Sequence, residues 1–182
     1  MEKIQESIIT KKMGIIKEVR GFTPKIGKNC FIADTAAIIG DTTIGDNCSI
    51  WYSTVVRGDV NTITIGNNVN IQDGAVIHTL YQRSTTTIGD NVSIGHNAVV
   101  HGAKIESNCL IGMNSTVLDG AIVHSGTIIA AGALVLSNQE CEPNSIYAGV
   151  PAKKIKEVSP EQNKNIVERI AHDYIMYASW YD

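Results

Sequence analysis

The chain has 182 residues, 43% of them hydrophobic but only 5% aromatic, with 16 glycines and a formal net charge of −3. That much apolar chain suits one domain with a sizeable core and excludes a disordered polymer. The weakly acidic balance excludes an electrostatic footprint for nucleic acid or an anionic membrane, and no stretch is apolar for long enough to span a bilayer.

Residues 1–25 form an N-terminal segment leading into the folded unit. Its start, "MEKIQESIITKKMG", mixes acidic and basic residues and lacks the apolar run of a signal peptide, so a cytoplasmic location is expected. From residue 26 a repeat takes over. Ile26, Ile32, Ile38, Ile44, Ile50 and Val56 recur every six positions, and after an insertion in "DVNTIT" the series resumes at Ile65, Ile71 and Ile77. It breaks at "TLYQRSTTT", returns at Ile88, Ile94 and Val100, and runs on through Ile105, Ile111, Val117, Val123, Ile129 and Val135. Four places after many of these stands a small residue, among them Cys30, Cys48, Ala75, Ala98 and Cys109.

Period six fits neither an amphipathic helix nor a simple hairpin. It fits short strands joined by tight turns, three to a triangular coil of about eighteen residues, stacked as a parallel β-helix. The class is all-β, with about six coils inside a unit spanning 26–150. Cys30, Cys48 and Cys109 then fill the small inward slot as buried thiols. Cys141 lies beyond the repeat and has no assigned place.

Residues 151–182 supply a turn and a C-terminal helix within the same structural domain. Ser159 is its N-cap, Pro160 its first residue, and Gln162 completes a capping box. Ile166, Ile170, Tyr174, Tyr177 and Tyr181 share one face, which should lie along the β-helix or against a neighbouring chain.

Stacking permits polar residues to be compared coil by coil. Arg57, His78 and His101 each follow the third aliphatic residue of their coils, so they form one outward column. Coils are one strand spacing apart, about 4.8 Å, so His78 and His101 can reach one metal ion. Asp73 and His96 form a second column one corner earlier, with Gln72 beside Asp73. His96 and His101 lie at opposite ends of one extended face, roughly 16 Å apart, and should serve different sites. If three prisms pack side by side, the His96 edge of one chain faces the His78/His101 column of the next. Three neutral imidazoles with an open fourth position form the catalytic zinc arrangement. The competing reading makes the histidines ordinary turn residues, Gln72 a solvated turn residue, and Arg57, Asp59 and Asp73 a structural ion network. His124 and His172 fall outside both columns and receive no role.

"VVRGD", "NIQDGAVIH" and "SIGHNAVVHG", in that order and spacing, resemble the gamma-class carbonic anhydrases. The likeness extends from about Gly21 through "YAGVPAKKI" into the C-terminal helix. It implies a left-handed β-helix and a homotrimer, with metal held by His78 and His101 of one chain and His96 of the neighbour. It implies Zn2+, with Fe2+ or Co2+ as alternatives, and reversible hydration of carbon dioxide to bicarbonate by a metal-bound hydroxide. Arg57, Asp59, Gln72 and Asp73 match the family's catalytic motifs, and Tyr174 matches a helix tyrosine of some relatives. Gln72 would orient the hydroxide and Arg57 would steady bicarbonate. The chain departs from relatives that carry an acidic proton-exporting loop, since "TLYQRSTTT" has no carboxylate. Two other classes remain open: an acyltransferase or thioesterase acting on acyl-CoA, and a scaffold with a structural metal clamp.

Overall fold

A computed structural model describes residues 14–181, so most of the N-terminal segment, residues 1–13, lies outside the described residues. The repeat forms a left-handed parallel β-helix of about seven turns, one more than the hexapeptide count gives, followed by a C-terminal helix. Strands are mostly two or three residues long, and each pairs in parallel with the equivalent strand of the next coil, as in Ile71↔Ile94↔Ile111↔Ile129. One sheet covers a single face of the prism. A second wraps the other two, because strands Ala37–Ile44 and Val55–Ile65 continue through the intervening edge.

The aliphatic series is the core. Ile38, Ile50, Ile71, Ile77, Ile94, Val100, Ile111 and Ile129 are all fully buried, each stabilising the fold by about 1.5–3 kcal/mol relative to exposure. Cys48 and Cys109 fill the small slot and are buried, while Cys30, in the first coil, is only half-buried. The extra turn accounts for Cys141. It pairs with Val123 and occupies the aliphatic slot, and Tyr147 pairs with Ile129 in the same way. Burial pushes the thiols of Cys109 and Cys141 up to about 12 and about 11, so both are inert core residues.

Turns between strands need left-handed backbone, which asparagine tolerates better than most residues. Asn29, Asn47, Asn68, Asn91 and Asn108 have φ between 55° and 58° and stack along one edge. Each side-chain amide donates to the next carbonyl oxygen, from Asn29 to Asn47, Asn68, Asn91 and Asn108, at 3.0–3.3 Å. This ladder gives partners to the amides of Asn47, Asn68 and Asn91, which are half-buried.

The last coil turns at Gly149–Pro151 into an antiparallel strand, Lys153–Glu157, which the hexapeptide pattern does not announce. The helix then starts as the capping box requires, with Ser159 Oγ accepting from the Gln162 N–H and the Gln162 side chain accepting from the Ser159 N–H. Residues Asn163–Glu168 are π-helical before the α-helix Arg169–Ser179. Val167 and Ala171 become its most buried residues, so the seated face is centred one residue away from the expected Ile166–Ile170 line. Small side chains there let the helix approach closely. Val167 packs on Ile128 and Val158, and Tyr174 meets Trp51 edge-on at 5.4 Å.

The ladder gives a direct test. Asn91→Ala removes a donor and an acceptor and strains the turn, whereas Asn91→Gly removes the ladder bonds without that strain. In urea unfolding, Asn91→Gly should be less destabilised than Asn91→Ala by about 1 kcal/mol; equal losses would mean that backbone strain plays no part.

Candidate metal centre

Strands Val76–His78 and Val99–His101 pair in register, placing His101 directly beside His78. Ile77 and Val100 point inward and are fully buried, so strand alternation turns both histidines outward. Their rings are 5.0 Å apart between centroids. Val56 pairs with Ile77, so Arg57 heads the same column, as the repeat arithmetic anticipates.

His78 Nδ1 and His101 Nε2 face one another at 3.1 Å. The other ring nitrogens are held by carboxylates. His78 Nε2 lies 3.1 Å from Asp59 Oδ1, and His101 Nδ1 lies 2.8 Å from Asp119 Oδ2. A carboxylate accepts and does not donate, so it draws the imidazole proton to the nitrogen it faces. The two facing nitrogens are then both lone-pair acceptors. Two acceptors at 3.1 Å repel unless a cation or a proton lies between them. The separation suits two ligands of one tetrahedral ion at zinc–nitrogen distances of about 2.0–2.1 Å.

The surrounding charge favours the same state. Burial, reinforced by Arg57 and His101, lowers the His78 pKa against the pull of Asp59, so the ring is neutral at neutral pH and available as a ligand. Burial also raises the Asp59 carboxyl. Hydrogen bonds from Arg57 and His78, with the Arg57 charge, outweigh that effect and hold it below its ordinary value. Arg57 Nη1 donates to Asp59 Oδ2 at 2.6 Å, which makes Asp59 its partner within the chain.

His96 stands elsewhere, on the turn after strand Ser93–Ile94. Its Nδ1 is 2.9 Å from Asp73 Oδ2, and both side chains are substantially exposed. Among the described residues, no three His, Cys, Asp or Glu side chains gather in an arrangement that holds an ion. One chain therefore presents two facing histidines on one edge and a His–Asp pair on a different edge.

Gln72 is not a solvated turn residue. It is 4% exposed, and its Nε2 donates at 3.0 Å to Asn70 Oδ1, while Asn70 Nδ2 donates at 2.7 Å to Ser93 Oγ. It also lines an apolar cavity of about 280 Å3 with Leu110, Met113, Ile128 and Ile170. Tyr174 lies beside Trp51, and burial, with the Asp73 charge adding, pushes its hydroxyl up to about 12. Gln72 and Tyr174 thus belong with the Asp73–His96 edge.

Sequence reasoning missed Asp119, Ser84 and Asn70. Val117 pairs with Val100, so extending the histidine column by one coil would have reached the turn that carries Asp119. Ser84 lies in an insertion with no register to read. His124 pairs instead with Glu106 at 3.2 Å, and His172 is exposed on the helix.

The description "Bacterial transferase hexapeptide (six repeats)" matches residues 23–58 and 102–137, and "Hexapeptide repeat of succinyl-transferase" matches 85–117. Gamma carbonic anhydrase 1, mitochondrial, from Arabidopsis thaliana is 42% identical over 144 residues, covering 76% of this chain and 52% of that protein. Carbonic anhydrase from Geobacillus kaustophilus is 50% identical over 64 residues, 35% of each chain. The matches thus span about a third to a half of these curated relatives' lengths. The crystal structure of a hexapeptide transferase family protein from Anaplasma phagocytophilum superposes with a TM-score of 0.88 at 37% identity, covering 92% of this chain and 98% of that one. Fold and outward histidine column define a hexapeptide-repeat β-helix protein. Within that class, the chain belongs to the gamma-class carbonic anhydrase family.

The His124 side of the prism supplies a pH test. Hydrogen bonding from Lys104, helped by His124 and the Ser125 N–H, holds Glu106 down at about 2 against the opposing effect of burial. Its folded value lies below the ordinary 4.5, so its contribution is complete above about pH 4.5 and disappears as pH falls through about 2. The stability advantage of the native protein over Glu106→Gln, measured by urea unfolding, should therefore shrink across that window. An advantage constant from pH 6 to pH 2 would refute the pairing.

Proposed function

We propose that the protein catalyses reversible, metal-dependent hydration of carbon dioxide at sites shared between neighbouring copies of a homotrimer. The observation that carries this reading is the pair of facing imidazole nitrogens, 3.1 Å apart, each on a ring whose other nitrogen is held by a carboxylate. Such a pair calls for a cation, and its donors suit zinc or iron(II). His78 and His101 would hold the ion together with the partner's His96. When bound, the ion supplies a Lewis acid that activates water near neutral pH.

The remaining residues bind and orient. Asp59 fixes the His78 ring. Arg57, half-exposed although paired to Asp59, keeps donors free to attract the bicarbonate anion. Gln72 carries an amide that does not titrate, set in place by Asn70, suited to orienting the attacking oxygen. Asp73 restrains His96 before assembly. Tyr174, uncharged at neutral pH, lies near Asp73 on the same edge. The setting would be cytoplasmic, where reducing conditions suit four free cysteines; among the described residues, no helix is long and apolar enough to cross a membrane.

The names of the matched repeat families and of the Anaplasma protein favour a second reading, acyl transfer. A base for that chemistry needs an imidazole nitrogen free to take a proton. In His78 and His101 one nitrogen faces a carboxylate and the other faces its neighbour's lone pair, an arrangement that favours metal chemistry; for acyl transfer the base would be His96, whose Nδ1 faces Asp73.

Protein purified without oxygen and without a histidine tag should hold close to one zinc or iron per chain, lost in His101→Ala and in His96→Ala. Mixing His96→Ala with His78→Ala/His101→Ala chains should restore a fraction of the sites. Carbon dioxide hydration should follow metal content, and its rate should rise with buffer concentration because the acidic loop is missing. No metal uptake on reconstitution, with acetyl-CoA binding that survives chelation, would overturn the proposal in favour of acyl transfer.

A further inference from the structure

The insertion "TLYQRSTTT" lacks the carboxylate of an acidic proton-exporting loop, yet it is tied firmly to the histidine column. Ser84 Oγ accepts from the Leu80 N–H at 3.1 Å, closing the insertion on itself. A hydroxyl has one proton, and here it is directed at Asp119 Oδ1, 2.6 Å away. The Ser84 carbonyl accepts from Asn61 Nδ2 at 3.0 Å, so main chain and side chain are both fixed. At the insertion's end, Thr86 Oγ1 donates to the His78 carbonyl at 2.6 Å and accepts from the Gly102 N–H at 3.0 Å.

Gly102 belongs to the same device. It follows His101 with φ of 59°, and a Cβ there would collide with both Asp119 Oδ1 and Ser84 Oγ. Glycine at this place leaves the space in which serine and aspartate meet.

We propose that Asp119, braced by Ser84 of the insertion, is a positioning residue that fixes His101 as its Nδ1–H tautomer and reserves Nε2 for the metal. The inference rests on the reading of His78 and His101 as ligands. Asp119 Oδ2 lies 2.8 Å from His101 Nδ1, and an acceptor there stabilises the N–H on that nitrogen. Without it, His101 is free to carry its proton on Nε2 and donate to His78 Nδ1. The two rings would then close on each other through an N–H···N bond, and an arriving ion would have to displace that proton. The insertion therefore serves as a brace for a ligand.

The test uses the full chain, first free of metal. Long-range proton–nitrogen NMR should show His101 as the Nδ1–H tautomer in the native protein and a shift toward Nε2–H in Asp119→Ala. Zinc affinity, measured by competition with a chelator, should fall about 10- to 100-fold in Asp119→Ala. Asp119→Asn keeps an acceptor oxygen and should recover much of that loss. Ser84→Ala, which leaves the carboxylate but frees it to turn, should lose roughly fivefold. A folded Asp119→Ala protein with an unchanged His101 tautomer, or with zinc affinity within about twofold of native, would overturn the proposal. If Asp119→Ala does not fold, an unchanged tautomer and affinity in Ser84→Ala would do so. Failure of the native protein to take up zinc would refute the ligand reading instead, while the tautomer in metal-free protein would still decide the role of Asp119.

Discussion

In a parallel β-helix the nearest neighbour of a residue is its counterpart one coil away, held at about 4.8 Å by main-chain hydrogen bonds. Every side-chain column in this molecule inherits that spacing. Where the column is aliphatic it makes a dry core; where it is asparagine it makes an amide ladder. Where it is histidine it brings two imidazoles close enough to share an ion. The same constraint accounts for the core and for the facing imidazoles. Ile77 and His78 are adjacent in sequence, and alternation sends one inward and the other outward.

Stacking alone does not decide how an imidazole is protonated. That is left to residues outside the column, Asp59 on one side and Asp119 on the other. The two carboxylates act from opposite directions, so the lone pairs they leave exposed converge. A single carboxylate would orient one ring and leave the second free to answer with an N–H. Arg57 adds to this arrangement by occupying the second oxygen of Asp59, which limits that carboxylate to one imidazole.

Repeat arithmetic made much of this legible. The corners, the His78/His101 column, the separate His96 edge and the capping box at Ser159 follow from counting residues. Counting failed where the chain departs from the count. Ser84 lies in an insertion whose path no period describes, and Cys141 hid the last coil because cysteine stands where isoleucine or valine is usual. The burial of Gln72 and its bond to Asn70 escaped the count too, because both are properties of the assembled fold. The helix face shifted for a related reason. A π-helical segment changes the angular step per residue, and a pattern drawn at α-helical spacing cannot anticipate it.

The unlike edges of the prism bear on the proposed assembly. One carries the facing imidazoles, and the other carries His96 with Asp73. Unlike surfaces meet head to tail, and such contacts either close into a ring or continue as a filament. A ring gives every copy the same contact and leaves no histidine edge exposed, whereas a filament leaves one at each end. The proposed homotrimer is the closed solution for a three-sided body. It also assigns the Asp73–His96 pair a role before assembly, since a histidine already held by a carboxylate reaches a neighbour's ion with less freedom to lose.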